Sequence, residues 1–171
     1  MDAPTLHGKS LTLRPIHAQD VAQLWKLIRS PEVARWWNPG ARDERIAEWL
    51  GGEDLIQWAI VVDGAPAGVI QAYEEHESEF RHAGIDLFIG PDHQGHGLGR
   101  ATIRTMTRWL FDERGHHRLI IDPALANERA IRCFESVGFR RVGVMRRYWL
   151  DHTTNEWVDG LLLDLLRDEL V

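Results

Sequence analysis

Gln94-Gly95-His96-Gly97-Leu98-Gly99-Arg100 is the stretch on which the reading of this chain turns. It stands between an apolar run, Ala83-Gly84-Ile85-Asp86-Leu87-Phe88-Ile89-Gly90, and a segment in which Ile103, Met106 and Leu110 recur at i, i+3 and i+7. The first predicts a strand and the second an amphipathic helix. Glycines at such a junction let the backbone approach a ligand closely, and the N–H groups of the helix's first turn attract anions. The segment therefore predicts a phosphate-bearing cofactor, with a flexible turn capping the helix as the plainer alternative. A dinucleotide fingerprint would need glycine where Arg100 stands, and a Walker loop would end in Gly-Lys-Ser/Thr; neither is present.

Outward from this turn, short strands alternate with helices, which favours an α/β layer architecture. Residues 9–15 alternate as a first strand, and Val21, Leu24, Trp25 and Ile28 form a helical stripe that Pro31 ends. A loop or short helix then carries Trp36-Trp37, and a second short helix is expected over 42–50, stopping at Gly51-Gly52. Asp63-Gly64 between the runs Gln57–Val62 and Ala67–Glu75 signals a hairpin. Arg118 to Asp122 reads as a strand. Asn127 caps a helix with Ala130, Ile131, Phe134 and Val137 on its buried stripe, and Gly138 stops it. Strands at about 139–148 and 156–166 flank a polar turn at Asp151–Asn155. The expected order is β-α-α-β-β-β-α-β-α-β-β, a single domain over 1–171.

Length suffices for a hydrophobic core without disulfides: the chain has 171 residues, 44% of them hydrophobic, and one cysteine, Cys133. Twenty basic against 26 acidic residues give a net charge of −6. That balance argues against nucleic acid as the main partner and is compatible with a cationic one, with solubility alone as the plainer explanation. No apolar run reaches the roughly 20 residues of a membrane helix, and Met1-Asp2-Ala3-Pro4 lacks a signal peptide's features, so a cytoplasmic location is expected. Tryptophan is abundant, 8 residues, with Trp36 and Trp37 adjacent.

Two motifs carry a resemblance. Gln94-x-x-Gly97-x-Gly99 between strand and helix resembles the acetyl-CoA pyrophosphate motif of the GNAT family of N-acetyltransferases. Asn127-Glu128-Arg129-Ala130-Ile131-Arg132-Cys133-Phe134-Glu135-Ser136-Val137-Gly138-Phe139 is similar to the family's second signature. The resemblance covers essentially the whole chain. It implies a central mixed, mostly antiparallel sheet whose fourth and fifth strands, here 83–90 and 118–122, splay apart for the pantetheine arm of acetyl-CoA. It further implies that backbone groups of Phe88 and Ile89 pair with pantetheine. N–H groups of Gln94, Gly95, His96, Gly97, Leu98, Gly99 and Arg100 would bind pyrophosphate, with Asn127 hydrogen-bonding near the pantetheine arm or the thioester and Phe134 beside the cofactor. Many members carry tyrosine at the Phe134 position, proposed to protonate the departing thiolate; phenylalanine has no such proton. A thiol of pKa about 8.5 still leaves tolerably near neutrality.

Amine acetylation needs a neutral nitrogen, which a nearby carboxylate secures by accepting a proton. Asp86 is the candidate, an isolated acid in an apolar strand where aspartate is unfavourable. An edge or solvent-facing position is the alternative. Asp122 ends a strand, either as a ligand group or as a turn acid before Pro123. The run Glu74-Glu75-His76-Glu77-Ser78-Glu79 either is a solvated face or lines an acceptor cleft. A finer similarity, carried by Val33-Ala34-Arg35-Trp36-Trp37, Gln71-Ala72-Tyr73, Gly84–Phe88 and Asp122-Pro123, is to aminoglycoside 6′-N-acetyltransferases. It implies an acceptor site bordered by Trp36, Trp37, Gln71, Tyr73, Glu74, Asp86 and Asp122, with a polycationic small-molecule amine as substrate. The alternatives are a protein N-terminus or a siderophore-type hydroxylysine as acceptor, or a non-catalytic acyl-CoA sensor. Monomer and homodimer both remain open. His93-x-x-His96 and His116-His117 lack the partners of a metal site, so none is expected. Cys133 has no nucleophile's setting, and Trp25 and Trp109 read as core.

Overall fold

This computed structural model describes residues 3–37, 55–151 and 153–171. Its strands are β1 (Leu6–His7), β2 (Thr12–Pro15), β3 (Ile56–Val62), β4 (Ala65–Glu75), β5 (His82–Ile89), β6 (Arg118–Ile121), β7 (Arg140–Asp151) and β8 (Glu156–Leu166). Its helices are α1 (Val21–Ile28), α2 (Pro31–Ala34), α3 (Leu98–Asp112) and α4 (Glu128–Glu135). The strands form one sheet in the order β1-β2-β3-β4-β5-β6-β8-β7, antiparallel throughout except for β5 and β6. This is the mixed, mostly antiparallel α/β arrangement expected from the sequence.

Side-chain alternation divides the sheet's faces. Trp58, Ile60, Ile70, Ala72 and Ile85 point to one side, where Ile103, Met106 and Leu110 of α3 and Ile131 and Phe134 of α4 cover them. Val69 and Phe88 point to the other, against Leu24, Leu27 and Ile28 of α1 and Val33 of α2. Trp58 is fully buried and donates its indole N–H to the Pro4 carbonyl at 2.7 Å, with Trp109 edge-on to it.

Boundaries differ from expectation in instructive ways. Pro31 both closes α1 and opens α2, since proline at a helix's first turn sacrifices no hydrogen bond. β1 is a two-residue strand, too short for an alternation signal. β7 runs past 148 to Asp151 because β8 continues to pair with it. Trp25 is only half-buried, at the margin of the α1 cluster. The helix expected over 42–50 lies outside the described residues.

The feature that makes a site is the junction of β5 and β6. Their parallel pairing is confined to Ala83↔Leu119 and Gly84↔Ile120. Beyond it the strands diverge, leaving the later backbone groups of β5 on that edge without a strand partner.

Candidate active site

The diverging strands open into a cavity of about 1050 Å³. That is large for one drug-sized ligand and roomy enough for a long cofactor and an acceptor together. Asp86, Leu87, Phe88 and Ile89 form its β5 wall, Asp122 and Pro123 follow β6, and Trp36 and Trp37 close the α2 side. Trp37 meets Phe88 edge-on, with ring centroids 5.2 Å apart, and Arg35 stacks over Trp36.

At one end lies the glycine-rich turn. Gly95 and Gly97 take positive φ, 84° and 80°, and a side chain on Gly97 would find only open space. The first bond within α3 runs from the Ala101 N–H to the Gly97 carbonyl, so the N–H groups of Leu98, Gly99 and Arg100 precede the ladder. Gln94 clamps the turn: its amide donates to the Ile89 carbonyl at 2.6 Å, and its oxygen accepts from Arg129 at 2.8 Å. Asn127 caps α4 by accepting from the Ala130 N–H at 3.2 Å. Gly95, Gly97, Gly99, Arg100, Asn127 and Phe134 all line the cavity, whereas Leu98 turns into the core and His96 is exposed outside the lining. Phe134 is buried beside Phe139. Cys133 also lies on this wall, where burial pushes its thiol up.

The polar end is built by register. Gln57 sits across from Gln71 and Gln71 across from Asp86, so the three share the α1 face of the sheet. Extending the β5–β6 register by two residues sets Asp86 level with Asp122. Gln57 donates to Gln71 at 3.1 Å, and Gln71 donates to Asp86 Oδ2 at 3.4 Å. On the far side Asp122 accepts the hydroxyl hydrogen of Tyr148. Tyr73 fills the space above Gly84, where any Cβ would lie 2.1 Å from its ring.

Among the described residues no lysine, arginine or histidine forms an ion pair with Asp86 or Asp122. Burial, and then the charge of Asp122, push Asp86 up to about 6, against a small lowering by Gln71. Burial also raises Asp122, with the Tyr148 hydrogen bond opposing it. Tyr73 is pushed up to about 12 by burial and by both carboxylates.

Glu74 does not join this group. Alternation puts it on the α3 face, opposite to Gln71 and Tyr73, where Arg114 donates to it at 2.6 and 3.0 Å and His116 Nε2 lies 2.6 Å away. Gln71 and Tyr73 back the carboxylates without lining the cavity, while Trp36, Trp37, Asp86 and Asp122 line it directly. Sequence reading missed Tyr148 and Trp149, which line the cavity from β7. Nothing local marks them; their position depends on how β7 folds onto β8. Among the described residues no cluster of His, Cys, Asp or Glu could hold a metal ion, and no helix is long and apolar enough to cross a membrane.

Comparison with known proteins places the chain in context. The acetyltransferase (GNAT) domain profile matches residues 17–158. An aminoglycoside N(6′)-acetyltransferase type 1 of Klebsiella pneumoniae is 27% identical over 159 residues, covering 82% of this chain and 79% of that one. A spermidine N(1)-acetyltransferase of Vibrio cholerae serotype O1 is 25% identical over 142 residues, covering 80% and 82%. Among solved structures, an aminoglycoside acetyltransferase crystallised with coenzyme A and kanamycin superposes with a TM-score of 0.75 at 25% identity, covering 94% of this chain and 96% of that one.

Proposed function

The chain belongs to the GNAT acetyltransferase family, and we propose that its acceptor is a polycationic small molecule, acetylated at the 6′-amine of an aminoglycoside. The observation that carries this reading is the Asp86–Asp122 pair, two carboxylates level with each other on the cavity wall with no cationic partner among the described residues. Such a pair attracts ammonium groups and holds them against the wall. The 27% identity to an aminoglycoside N(6′)-acetyltransferase supports the choice of substrate.

The glycine-rich end fits acetyl-CoA, because its pre-ladder N–H groups and open Gly97 suit a pyrophosphate. Backbone groups of Phe88 and Ile89 would hold the pantetheine arm, N–H groups from Gln94 to Arg100 the phosphates, and Asn127 and Phe134 the adjoining wall. Acetyl-CoA supplies the acyl group as a thioester. Unpaired backbone donors on the β5 edge would polarise the acyl oxygen. Asp86, with a pKa of about 6, is ionised at neutral pH and accepts a proton from the acceptor ammonium, directly or through water. The nitrogen lone pair then forms the C–N bond as the C–S bond breaks, and the sulfur keeps that electron pair. Two protons leave the nitrogen in all; one ends on the thiol of CoA and the other passes through Asp86 to solvent.

The test pairs kanamycin-type drugs that carry a 6′-amine with counterparts lacking it, following thiol release from acetyl-CoA, with spermidine as a third acceptor. Turnover that requires the 6′-amine supports the reading. Equal rates on both drugs remove the 6′ assignment, and faster turnover of spermidine moves the substrate to linear polyamines.

A further inference from the structure

Tyr148 reaches Asp122 through an unusual construction. The β7–β8 pairing is interrupted between Met145 and Trp149. Within that bulge Arg147 adopts φ 51°, uncommon for a side-chain-bearing residue, and its N–H donates to Asp159 Oδ1 at 2.8 Å. The Tyr148 ring lies on Gly160, where a Cβ would come within 2.8 Å of its Cδ1. The chain just after Asp122 is tied to the same place. The Leu161 N–H donates to the Pro123 carbonyl at 2.9 Å, and the Leu125 N–H to the Asp159 carbonyl at 2.9 Å. Tyr148 is 46% exposed, so core packing does not account for this arrangement. What the bulge, the Asp159 side chain and the bare Gly160 achieve together is a phenol hydrogen-bonded to Asp122 on the cavity wall.

We propose that Tyr148 is a positioning residue for the acetyl transfer: its hydroxyl holds Asp122 as the ionised member of the Asp86–Asp122 pair, so that Asp86 is the carboxyl that takes and releases the proton. This rests on the reading of the cavity as an amine-acetylating site. Two like charges side by side resist joint ionisation, and a donor on one of them decides which loses its proton first. The titratable groups coupled to the pair are Tyr73 from β4 and Tyr148 itself from β7, with Arg118 of β6 acting on Tyr73; Glu32 and Arg35 line the cavity from the α2 side, and His93, Arg100, Glu128, Arg129 and Cys133 line it from the glycine-rich turn and α4. The only hydroxyl hydrogen-bonded to either carboxyl among the described residues is that of Tyr148. Its phenol proton is itself held tightly, chiefly by the bond to Asp122, which suits a fixed donor and not an acid that gives its proton away.

Tyr148→Phe removes the donor and keeps the ring. The lower titration step of the pair, which belongs to Asp122, then moves up directly; the upper step moves up because, without its donor, Asp122 competes with Asp86 for the last proton. The acidic limb of kcat/KM is expected to shift to higher pH by about half to one unit. Carbon-13 NMR titration of the aspartate carboxyls should show the same upward move in the protein without substrates. Gly160→Ala, which pushes the ring from its seat while leaving the hydroxyl in the sequence, should reproduce the shift, with a melting curve confirming that the variant folds. A kcat/KM limb and carboxyl titrations that stay put in Tyr148→Phe overturn the proposal, even if turnover falls. Should the wild-type protein acetylate no amine, the reading of the site fails instead, and the NMR titration still decides the role of Tyr148.

Discussion

On one face of the sheet Glu74 is enclosed by Arg114 and His116; on the other, Asp86 and Asp122 stand two register steps beyond the last β5–β6 pair, with no ion-pair partner among the described residues. Both groups put carboxylates into a largely apolar sheet, yet they are opposites in chemistry. Burial would raise Glu74, but hydrogen bonds from Arg114 and His116 outweigh it and hold the carboxyl down to about 2. Nothing comparable compensates Asp86, and burial plus its acidic neighbour lift it to about 6. A satisfied carboxylate contributes to structure; an unsatisfied one near a cavity is a reactive group in waiting. The contrast also explains why acid density alone misleads: the densest acidic run begins at Glu74, while the isolated Asp86 faces the cavity.

The sharpest way to break this comparison is Asp86→Asn. Loss of the proton acceptor should lower kcat by about 10²- to 10⁴-fold. Affinity for acetyl-CoA, measured by calorimetry, should stay within about threefold, since the phosphate end of the cavity is untouched. The melting temperature should hold or rise, because a poorly compensated buried charge is removed. A drop in stability with turnover preserved would reverse the roles assigned to the two faces.

Glu74→Gln is the mirror experiment. It strands Arg114 and His116, the latter fully buried, and should destabilise the fold by about 2–3 kcal/mol while leaving kcat/KM within about threefold. Denaturant unfolding measures the first and the thiol-release assay the second. A large loss of turnover in a well-folded Glu74→Gln protein would return this residue to the acceptor site.

How far the sequence carried follows from the range of each signal. The glycine-rich turn, the Asn127 cap and the Asp63-Gly64 hairpin were legible because their determinants are local: positive φ, an N-cap, a two-residue turn. Asp86 was legible because an acid inside Ile85–Ile89 contradicts its strand. The face of Glu74 was encoded too, since it alternates with Tyr73 and Gln71, but its partners lie about forty residues on and leave no pattern. Tyr148 was out of reach for a different reason. Its inward turn depends on a non-glycine residue at positive φ in a bulge, and arginine at 147 gives no hint of that. The two-residue β1 and the double role of Pro31 were lost to brevity and ambiguity.

The two carboxylate groups should also separate on the pH axis. Glu74 has its folded pKa depressed from 4.5 to about 2, so its contribution to stability is complete above about 4.5 and disappears as pH falls toward 2. The stability gap between wild type and Glu74→Gln should therefore shrink across that window and close at its lower end. The activity limb belongs to Asp86 and should lie near 6, where Glu74 remains fully ionised. A melting series from pH 7 to 2 beside a pH–rate profile compares the two directly; a stability gap constant across the window would mean that Glu74 is held by something other than its charge.

The smallest expected effect is the most specific. Asp122→Asn removes the charge that raises Asp86, so the Asp86 pKa should fall and the acidic limb of kcat/KM should move to lower pH by up to about one unit. Tyr148→Phe moves the same limb the other way, since it leaves the charge in place and weakens its preference for Asp122. Opposite signs from two residues joined by one hydrogen bond are not produced by general damage to the site, which would lower the rate without moving the limb. If KM for a multiply charged acceptor also rises in Asp122→Asn while a monoamine is unaffected, Asp122 both tunes Asp86 and holds a second ammonium. If the limb stays where it is, burial alone accounts for Asp86, and the paired-carboxylate view of this cavity gives way to that of a single desolvated base.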